Sequence, residues 1–379
     1  MRARLGEIAR LFLKLGTIAF GGPAAHIAMM EAEVVRRLGW ISHEEFLDLL
    51  AASNLIPGPN STELAIHIGH RRAGWPGLLV AGSCFILPAA LIVTAIAWAY
   101  VRFGKLPEVS GILYAVKPVV IAVVLQALWV LSRSAVKSWL LAVVGLMVVV
   151  LNFAGINELL LLFVAGAVVC AVSGVEQWQK SGGALAVLPA LGTTATGTVA
   201  FGLWPLFGFF LKAGSVLFGS GYVLLAFLRA DLVERWHWLT ESQLIDAIAV
   251  GQITPGPVFT TATFIGYILG GPAGGLVATL GIFLPAFVFV AISGPLVPRM
   301  RRSHAIGAFL DGVVVASLGL MVVVTFQLAR SALIDWVTIL LATISAGLLI
   351  RFKVNSAWLV LAAALIGLAA SYFGFVSLP

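Results

Sequence analysis

Residues 54–63 read Asn-Leu-Ile-Pro-Gly-Pro-Asn-Ser-Thr-Glu, and residues 252–261 read Gln-Ile-Thr-Pro-Gly-Pro-Val-Phe-Thr-Thr. Proline lacks a backbone donor and restricts the residue before it, so neither segment can continue a helix. Both segments belong to a longer duplication, because residues 12–59 align without a gap with residues 210–257 and a third of the aligned residues are identical. The sequence therefore predicts one module in two copies, residues 1–180 and 200–379, joined by a linker over residues 181–199.

The chain around these segments is hydrophobic enough to lie in a membrane. Of its 379 residues, 61% are hydrophobic and 10% are charged, and its mean hydropathy is +1.07. Uncharged stretches such as 75–101, 138–157 and 272–298 reach the roughly 20 residues that a bilayer-spanning helix needs. Continuous Leu, Val and Ala runs differ from the alternating segments of a transmembrane barrel. We expect an all-α polytopic membrane protein in a bacterial or archaeal inner membrane, with the lipid bilayer as a partner.

Each copy is expected to contain broken helices. Helical pieces over residues 5–19, 24–37, 43–55 and 60–72 are interrupted at 21–23 and 57–59, and each is shorter than a ~30 Å hydrocarbon core. Irregular backbone at membrane depth must be buried in protein or line a cavity. We therefore expect two re-entrant or broken helical hairpins in each copy, followed by about four spanning helices. These are 75–101, 111–132, 138–153 and 157–175 in the first copy, and 272–297, 306–329, 335–350 and 355–374 in the second.

The distribution of basic residues predicts that the copies have inverted topology. Arg71 and Arg72 mark a turn of the first copy as cytoplasmic, whereas the equivalent turn at 270–271 is uncharged. Basic residues of the second copy cluster instead at 299–302. With an even number of spans in each copy, inversion requires an extra crossing over residues 181–199. The bias of the basic residues predicts a cytoplasmic N-terminus and an external C-terminus. A single chain and a homodimer remain open alternatives.

The composition also excludes several classes of protein. Cys84 and Cys170 lie in apolar runs, so a disulfide framework or a thiolate metal site is not expected. The net charge of +7 is spread over short loops, so no nucleic-acid surface is expected. There is no phosphate-binding Gly-rich loop, no convincing catalytic dyad and no sign of a cofactor, which argues against an enzyme.

Inverted repeats with broken helices are typical of secondary transporters that bind substrate where the repeats meet. Lys14 and Thr17 lie on one helical face, and Lys212 and Ser215 repeat that spacing. An ammonium and a hydroxyl in each copy suit an oxyanion, and we expect these lysines to have no permanent carboxylate partner. The alternative is that the lysines snorkel and that Thr17 bonds to its own backbone.

The glycine-rich breaks are the second candidate anion site. Free N–H groups at the start of the following helix carry partial positive charge and bind anions. The alternative is a tight turn in which Asn60 caps the helix and Glu63 completes a capping box. The candidate residues at the breaks are Gly21, Gly22, Pro57, Gly58, Pro59, Asn60, Ser61 and Thr62 in the first copy, and Gly219, Ser220, Gly221, Gly256, Thr260 and Thr261 in the second.

Ionisable residues inside apolar segments are candidates for coupling. His26 follows the first glycine break, and Glu63 follows Pro57-Gly58-Pro59. Lys117 and Asp311 lie in equivalent helices and are candidates to pair across the interface between the copies; the alternative is that Lys117 snorkels. A metal site at Glu63, His67 and His70 is not expected, because the second copy has no counterpart.

Residues 20–30, Trp40 and residues 54–59 resemble the motifs of the chromate ion transporter family, and the resemblance covers essentially the whole chain. The resemblance implies a long-chain, two-domain member that exports chromate from the cytoplasm, with sulfate as a related substrate. It adds Phe20 and His26 of the first motif, and Tyr222 of its diverged second copy, to the substrate-binding candidates. The alternatives are an importer or channel for sulfate or another oxyanion and, more remotely, an intramembrane enzyme.

Overall fold

A computed structural model describes residues 2–20, 22–104, 106–181, 199–217, 224–293, 304–352 and 354–372. Regular structure in these ranges is helical, and they contain no strand. Four of the described helices are long and apolar enough to cross a membrane, within residues 60–103, 109–135, 258–293 and 305–332, and shorter apolar helices accompany them. The predicted all-α polytopic membrane protein is confirmed. The linker segment 182–198 lies outside the described residues.

The helices of the two halves follow one another in the same order. The first half contains α1 (Arg2–Ile18), α2 (Gly22–Glu31), α3 (His43–Ser53), α4 (Asn60–Phe103), α5 (Pro107–Ala135), α6 (Trp139–Phe153) and α7 (Glu158–Ser181). The second half contains α8 (Leu203–Val216), α9 (Leu224–Phe227), α10 (Glu241–Ile253), α11 (Thr261–Ser293), α12 (His304–Ala332), α13 (Trp336–Phe352) and α14 (Ser356–Tyr372). A π-helical segment extends α2 over Ala32–Arg37 and α9 over Leu228–Arg235.

The longest helix, α4, is a hairpin. Ala73 and Gly74 leave the helical conformation, and Gly74 has a φ of +65°. A Cβ on Gly69 would lie 2.3 Å from the carbonyl oxygen of Gly77, although eight residues of straight helix rise about 12 Å. The chain therefore folds back between arms 60–72 and 75–103, and α11 does the same at residues 270–271.

The predicted helix breaks at the proline motifs are confirmed. Helix α1 ends at Ile18 and α2 begins at Gly22, while α3 ends at Ser53 and α4 begins at Asn60. The second half has the same breaks after Val216 and between residues 253 and 261. Where these breaks lie relative to a bilayer remains a prediction.

The two halves interlock rather than standing side by side. Helix α5 of the first half packs against α12, α13 and α14 of the second, and α12 packs in turn against α5, α6 and α7. The hairpins α4 and α11 also pack on each other. A hydrogen bond of 2.5 Å from the Tyr114 hydroxyl to Asp335 Oδ2 crosses the same interface. Each half therefore completes the core of the other.

Two contacts support the predicted inversion, which remains a prediction. Arg72 bonds Glu7 at 3.1 Å and lies over the Trp40 ring, so the turn of the α4 hairpin lies at the N-terminal end of α1. Three long helical segments follow that turn, namely residues 75–103, α5 and α6. The loop after them, between α6 and α7, lines a cavity with residues 229–235 of the second half. These contacts agree with the predicted inversion, in which the α4 turn and the loop between α6 and α7 lie at opposite ends of the helices that join them.

Candidate functional site

The breaks of the two halves meet through a pair of equivalent hydrogen bonds. The Gly58 N–H donates to the Leu217 carbonyl at 2.7 Å, and the Gly256 N–H donates to the Ala19 carbonyl at 2.9 Å. Each bond links one Pro-Gly-Pro segment to the end of the first helix of the opposite half. We call these four residues the crossed tips. The glycine N–H of each Pro-Gly-Pro segment is therefore held by a carbonyl of the other half.

Glycine is required at both tips by conformation and by space. Gly58 has a φ of +136° and Gly256 a φ of +85°, values that residues with a side chain rarely adopt. A Cβ on Gly256 would lie 2.7 Å from the Cβ of Ala89 and 3.1 Å from the carbonyl oxygen of Gly16. A larger residue at Gly256 would therefore displace backbone of the first half.

His26, in α2, links α4 and the end of α1 beside the crossed tips. Its ring is buried, with Nε2 3.0 Å from the Ala19 carbonyl oxygen and Nδ1 3.3 Å from Ser61 Oγ. A carbonyl oxygen can only accept, so Nε2 carries a proton. The Ala19 carbonyl oxygen thus accepts hydrogen bonds from both His26 Nε2 and the Gly256 N–H. The structure brings predicted candidates His26, Ser61 and Gly256 together.

Glu63 is fully buried beside the first tip. Neither carboxyl oxygen has a hydrogen-bond partner among the described residues, and the same holds for the Thr62 hydroxyl. A Cβ on Gly58 would lie 2.2 Å from Glu63 Oε1, so the carboxyl group lies directly against the tip. The alternative of a capping box is wrong, because Pro59 is the N-cap residue, with no side-chain cap, and the Asn60 amide donates to Asn54 Oδ1 at 2.6 Å.

The two predicted lysines are paired with carboxylates. Lys14 Nζ lies 2.7 Å from Glu33 Oε1, and Lys212 Nζ lies 2.8 Å from Asp231 Oδ2. Each carboxylate also pairs with an arginine, namely Arg37 and Arg235. The expectation of unpartnered lysines is therefore wrong. The acidic partners occupy equivalent positions of the two copies, which is the signal in the sequence that would have found them.

The predicted hydroxyl groups mostly bond to their own backbone. Thr17 donates to Leu13 and Ser215 to Leu211, both at 2.7 Å, as the structural alternative proposed. The buried Thr260 and Thr261 donate to the carbonyls of Pro257 and Val258, each at 2.8 Å. Their oxygens keep accepting capacity, but their protons are already used.

The other candidates lie near the breaks or outside the described residues. Gly22 begins α2 with a φ of +77°, and Phe20 just before it is exposed. Pro57 and Pro59 flank the first tip. The candidates Gly21, Gly219, Ser220, Gly221 and Tyr222 lie outside the described residues.

The predicted pairing of Lys117 with Asp311 is wrong, although both residues do pair across the halves. Lys117 Nζ lies 3.4 Å from Asp246 Oδ1 and donates to Ser242 Oγ at 2.6 Å. The Tyr100 hydroxyl donates to the other oxygen of Asp246 at 2.9 Å. Asp311 pairs instead with Lys137 at 2.7 Å. The identity of Asp48 and Asp246 between the copies marked this position without indicating its partner.

A cavity of about 640 Å³ opens where the α6–α7 loop meets the π-helical segment of the second half. Arg229 and Arg235 line it beside Glu158 and Glu234. Arg229 donates to Gln327 at 2.7 Å, and its Nε has no hydrogen-bond partner among the described residues. This site could not be predicted from the sequence, because the first-half loop that closes it, residues 154–157, is uncharged.

The comparisons with known proteins agree with one another. A family model described as Chromate transporter matches residues 6–171 and, a second time, residues 204–368. A chromate transport protein of Cupriavidus metallidurans is 36% identical, over 97% of this chain and 93% of that protein. A probable chromate transport protein of Synechococcus elongatus is 32% identical over 90% and 88%, and a chromate transport protein of Pseudomonas aeruginosa is 31% identical over 94% and 90%. No solved structure gives a significant match.

Proposed function

The chain belongs to the chromate transporter family, which makes it a transport protein and not an enzyme, and we propose that it exports chromate from the cytoplasm through the crossed tips. The observation that carries the proposal is the pair of equivalent hydrogen bonds that hold the tips, Gly58 to Leu217 and Gly256 to Ala19. Broken helices that meet between two homologous halves are the usual binding site of secondary transporters. Parting of these bonds releases two N–H groups and opens a path between the halves.

The charges around the first helices of each half suit an anion. The cluster of Lys14, Glu33 and Arg37 carries one net positive charge, and the cluster of Lys212, Asp231 and Arg235 carries another. In each cluster the carboxylate holds the lysine in place and leaves one cation in excess. Oxyanions are recognised by such cations and by oriented backbone N–H groups.

The membrane potential supplies enough free energy for export. At an inside-negative potential of ~100 mV, outward movement of a dianion releases roughly 4.6 kcal/mol, because each charge contributes about 2.3 kcal/mol. That corresponds to a concentration ratio of about three decades. Export therefore requires no ATP, and proton exchange would be an additional driving force.

Transport by the purified protein in lipid vesicles tests this function. With chromate inside and the potential and the pH gradient imposed separately, we expect an inside-negative potential to accelerate chromate efflux, and sulfate to compete. Chromate movement that ignores the potential would refute potential-driven export. Single-channel conductance, or sulfate uptake in preference to chromate efflux, would instead support the alternative of an oxyanion importer or channel.

The same proposal includes an orientation in the inner membrane of a bacterial or archaeal cell. The N-terminus and the Arg71-Arg72 turn are assigned to the cytoplasm, and the α6–α7 loop and the C-terminus to the outside. Single cysteines at Arg71 and Asn157, in a protein without Cys84 and Cys170, should react with an impermeant reagent from opposite sides. Reaction of both from one side would refute the inverted arrangement.

A further inference from the structure

We infer that Glu63 is a proton-binding site that must be protonated before an oxyanion can occupy the crossed tips. This inference rests on the proposed function, since it places the substrate at the tips. The carboxyl group is fully buried and lies against Gly58, whose N–H forms one of the two cross-half bonds. Both of its oxygens lack hydrogen-bond partners among the described residues.

Within the part of the chain that the structure describes, no cation is paired with the Glu63 carboxyl group. A buried cluster of Ile56, Ile66, Leu78, Ala286 and Val290 lies beside the tip. The α11 hairpin packed against α4 has no Asp, Glu, Lys, Arg or His over residues 261–293, and Tyr267 is its only titratable side chain.

The titratable groups on elements packed against α4 include Glu45 and Asp48 of α3 and Asp246 of α10, which supply no cation, and Arg10 of α1, which is exposed. On α4 itself, the groups near Glu63 are His67, whose Nε2 is buried without a partner, and His70. On the neighbouring elements of the first half, His26 bonds Ser61 and Ala19, and Lys14 is held by Glu33. A buried carboxylate without a paired cation is strongly unfavourable, so Glu63 carries a proton in this conformation.

The duplication makes this site a property of the first half alone. After the one-residue shift that follows the Pro-Gly-Pro segments, Glu63 aligns with Thr260 and His67 with Phe264. Upstream of that shift, His26 aligns with Leu224. Thr260 uses its hydroxyl to bond its own backbone. The described residues of the second tip therefore contain no carboxyl group equivalent to Glu63, and the change of charge is inferred for the first tip.

Two negative charges compete for the same place. An ionised Glu63 beside Gly58 repels an oxyanion at the tips, whereas the neutral acid does not and can donate a hydrogen bond. Proton binding and anion binding are thus linked, and each favours the other. A proton that remains on Glu63 while the anion passes does not cross the membrane, so export driven by the potential is unaffected.

Chromate binding to the purified protein over a range of alkaline pH, where chromate stays a dianion, tests the inference. Above the pH at which Glu63 ionises, the apparent Kd should rise about tenfold per pH unit, because only the protonated fraction binds. Glu63→Gln, which mimics the protonated form, should bind chromate with a Kd independent of pH. Glu44→Gln removes an exposed carboxylate of α3 and should keep the wild-type pH dependence.

A second measurement separates this inference from the proposed function. The infrared carbonyl band of a protonated carboxylic acid should be present in the wild type and absent from Glu63→Gln, whether or not chromate is bound. Absence of that band from the wild type, or the same pH dependence in Glu63→Gln, would overturn the inference. If the band is present but the protein neither binds nor moves chromate, the proposed function fails while the proton site stands. Glu63→Thr, which copies the second half, provides the readout if Glu63→Gln does not fold.

Discussion

The ion pair between Lys117 and Asp246 is predicted to be one of the strongest single links between the halves. Asp246 is 2% exposed and the Lys117 side chain 20%, and their charged atoms are 3.4 Å apart. With an effective dielectric constant of about 20, two unit charges at that distance attract by about 5 kcal/mol. Loss of one partner leaves the other charge buried and unpaired, which destabilises proteins by about 3 to 5 kcal/mol.

A double-mutant cycle measures this link. Lys117→Met and Asp246→Asn should each lower the free energy of unfolding by about 3 kcal/mol or more, whereas the double variant should lose far less than the sum because no charge is left buried. The measurement is equilibrium unfolding in mixed micelles, followed by tryptophan fluorescence. The expected coupling energy is at least about 2 kcal/mol.

The second cross-half pair provides a matched control. The side chains of Lys137 and Asp311 are 61% and 40% exposed, so water screens their attraction. The equivalent cycle with Lys137→Met and Asp311→Asn should give a coupling energy below about 1 kcal/mol. Additive effects at Lys117 and Asp246, or equal coupling in the two pairs, would refute the reasoning from burial.

Three further predictions concern the tips, the lysines and the domain interface. Gly58→Leu and Gly256→Leu should each abolish chromate transport in vesicles while the protein still reaches the membrane. A side chain at either position requires a forbidden φ and displaces its neighbours. Full transport activity of both variants would show that the tips are ordinary turns. Lys14→Gln and Lys212→Gln should impair transport, more so at Lys14, because each removes the excess positive charge of its cluster. Substitution of either lysine by arginine should be partly tolerated, because the charge is kept. An unchanged transport rate and affinity in the double glutamine variant would show that both lysines are structural anchors. The hydrogen bond from the Tyr114 hydroxyl holds the pKa of Asp335 below its ordinary value, so Tyr114→Phe should lower the free energy of unfolding at neutral pH. The difference in unfolding free energy from the wild type should vanish as the pH falls through that lowered pKa. A difference that persists in acid would assign the effect to packing.

The helix breaks could be predicted because their causes are local. Proline at 57 and 59 and the glycine-rich turns act on their own backbone, so the break between α3 and α4 is fixed within a few residues of sequence. Even the turn of the α4 hairpin follows from Gly74 and the helical pieces on either side of it.

The hydrogen-bond and ion-pair partners at the site could not be predicted, because they depend on how the two halves are placed relative to each other. Lys117 and Asp311 lie in equivalent helices, yet the structure pairs each with a residue of another element. The carbonyls of Ala19 and Leu217 carry no signal at all, since every residue has one. Glu33 and Asp231 were different, because an acidic residue recurs at equivalent positions of the two aligned copies and could have been identified as the partner of each lysine.

The interlocking of the halves has a consequence for synthesis in the cell. Lys117 enters the membrane with α5, but its hydrogen-bond partner Ser242 follows it by 125 residues. At a rate of ~10 residues per second, roughly ten seconds pass before that partner leaves the ribosome. During that interval α5 has neither its counter-charge nor the α12, α13 and α14 surfaces that cover it. During synthesis the unpaired Lys117 ammonium must therefore lie at the lipid headgroups or within the insertion machinery. A ribosome that stalls after α7 leaves a fragment with this unpaired charge, which membrane proteases should recognise.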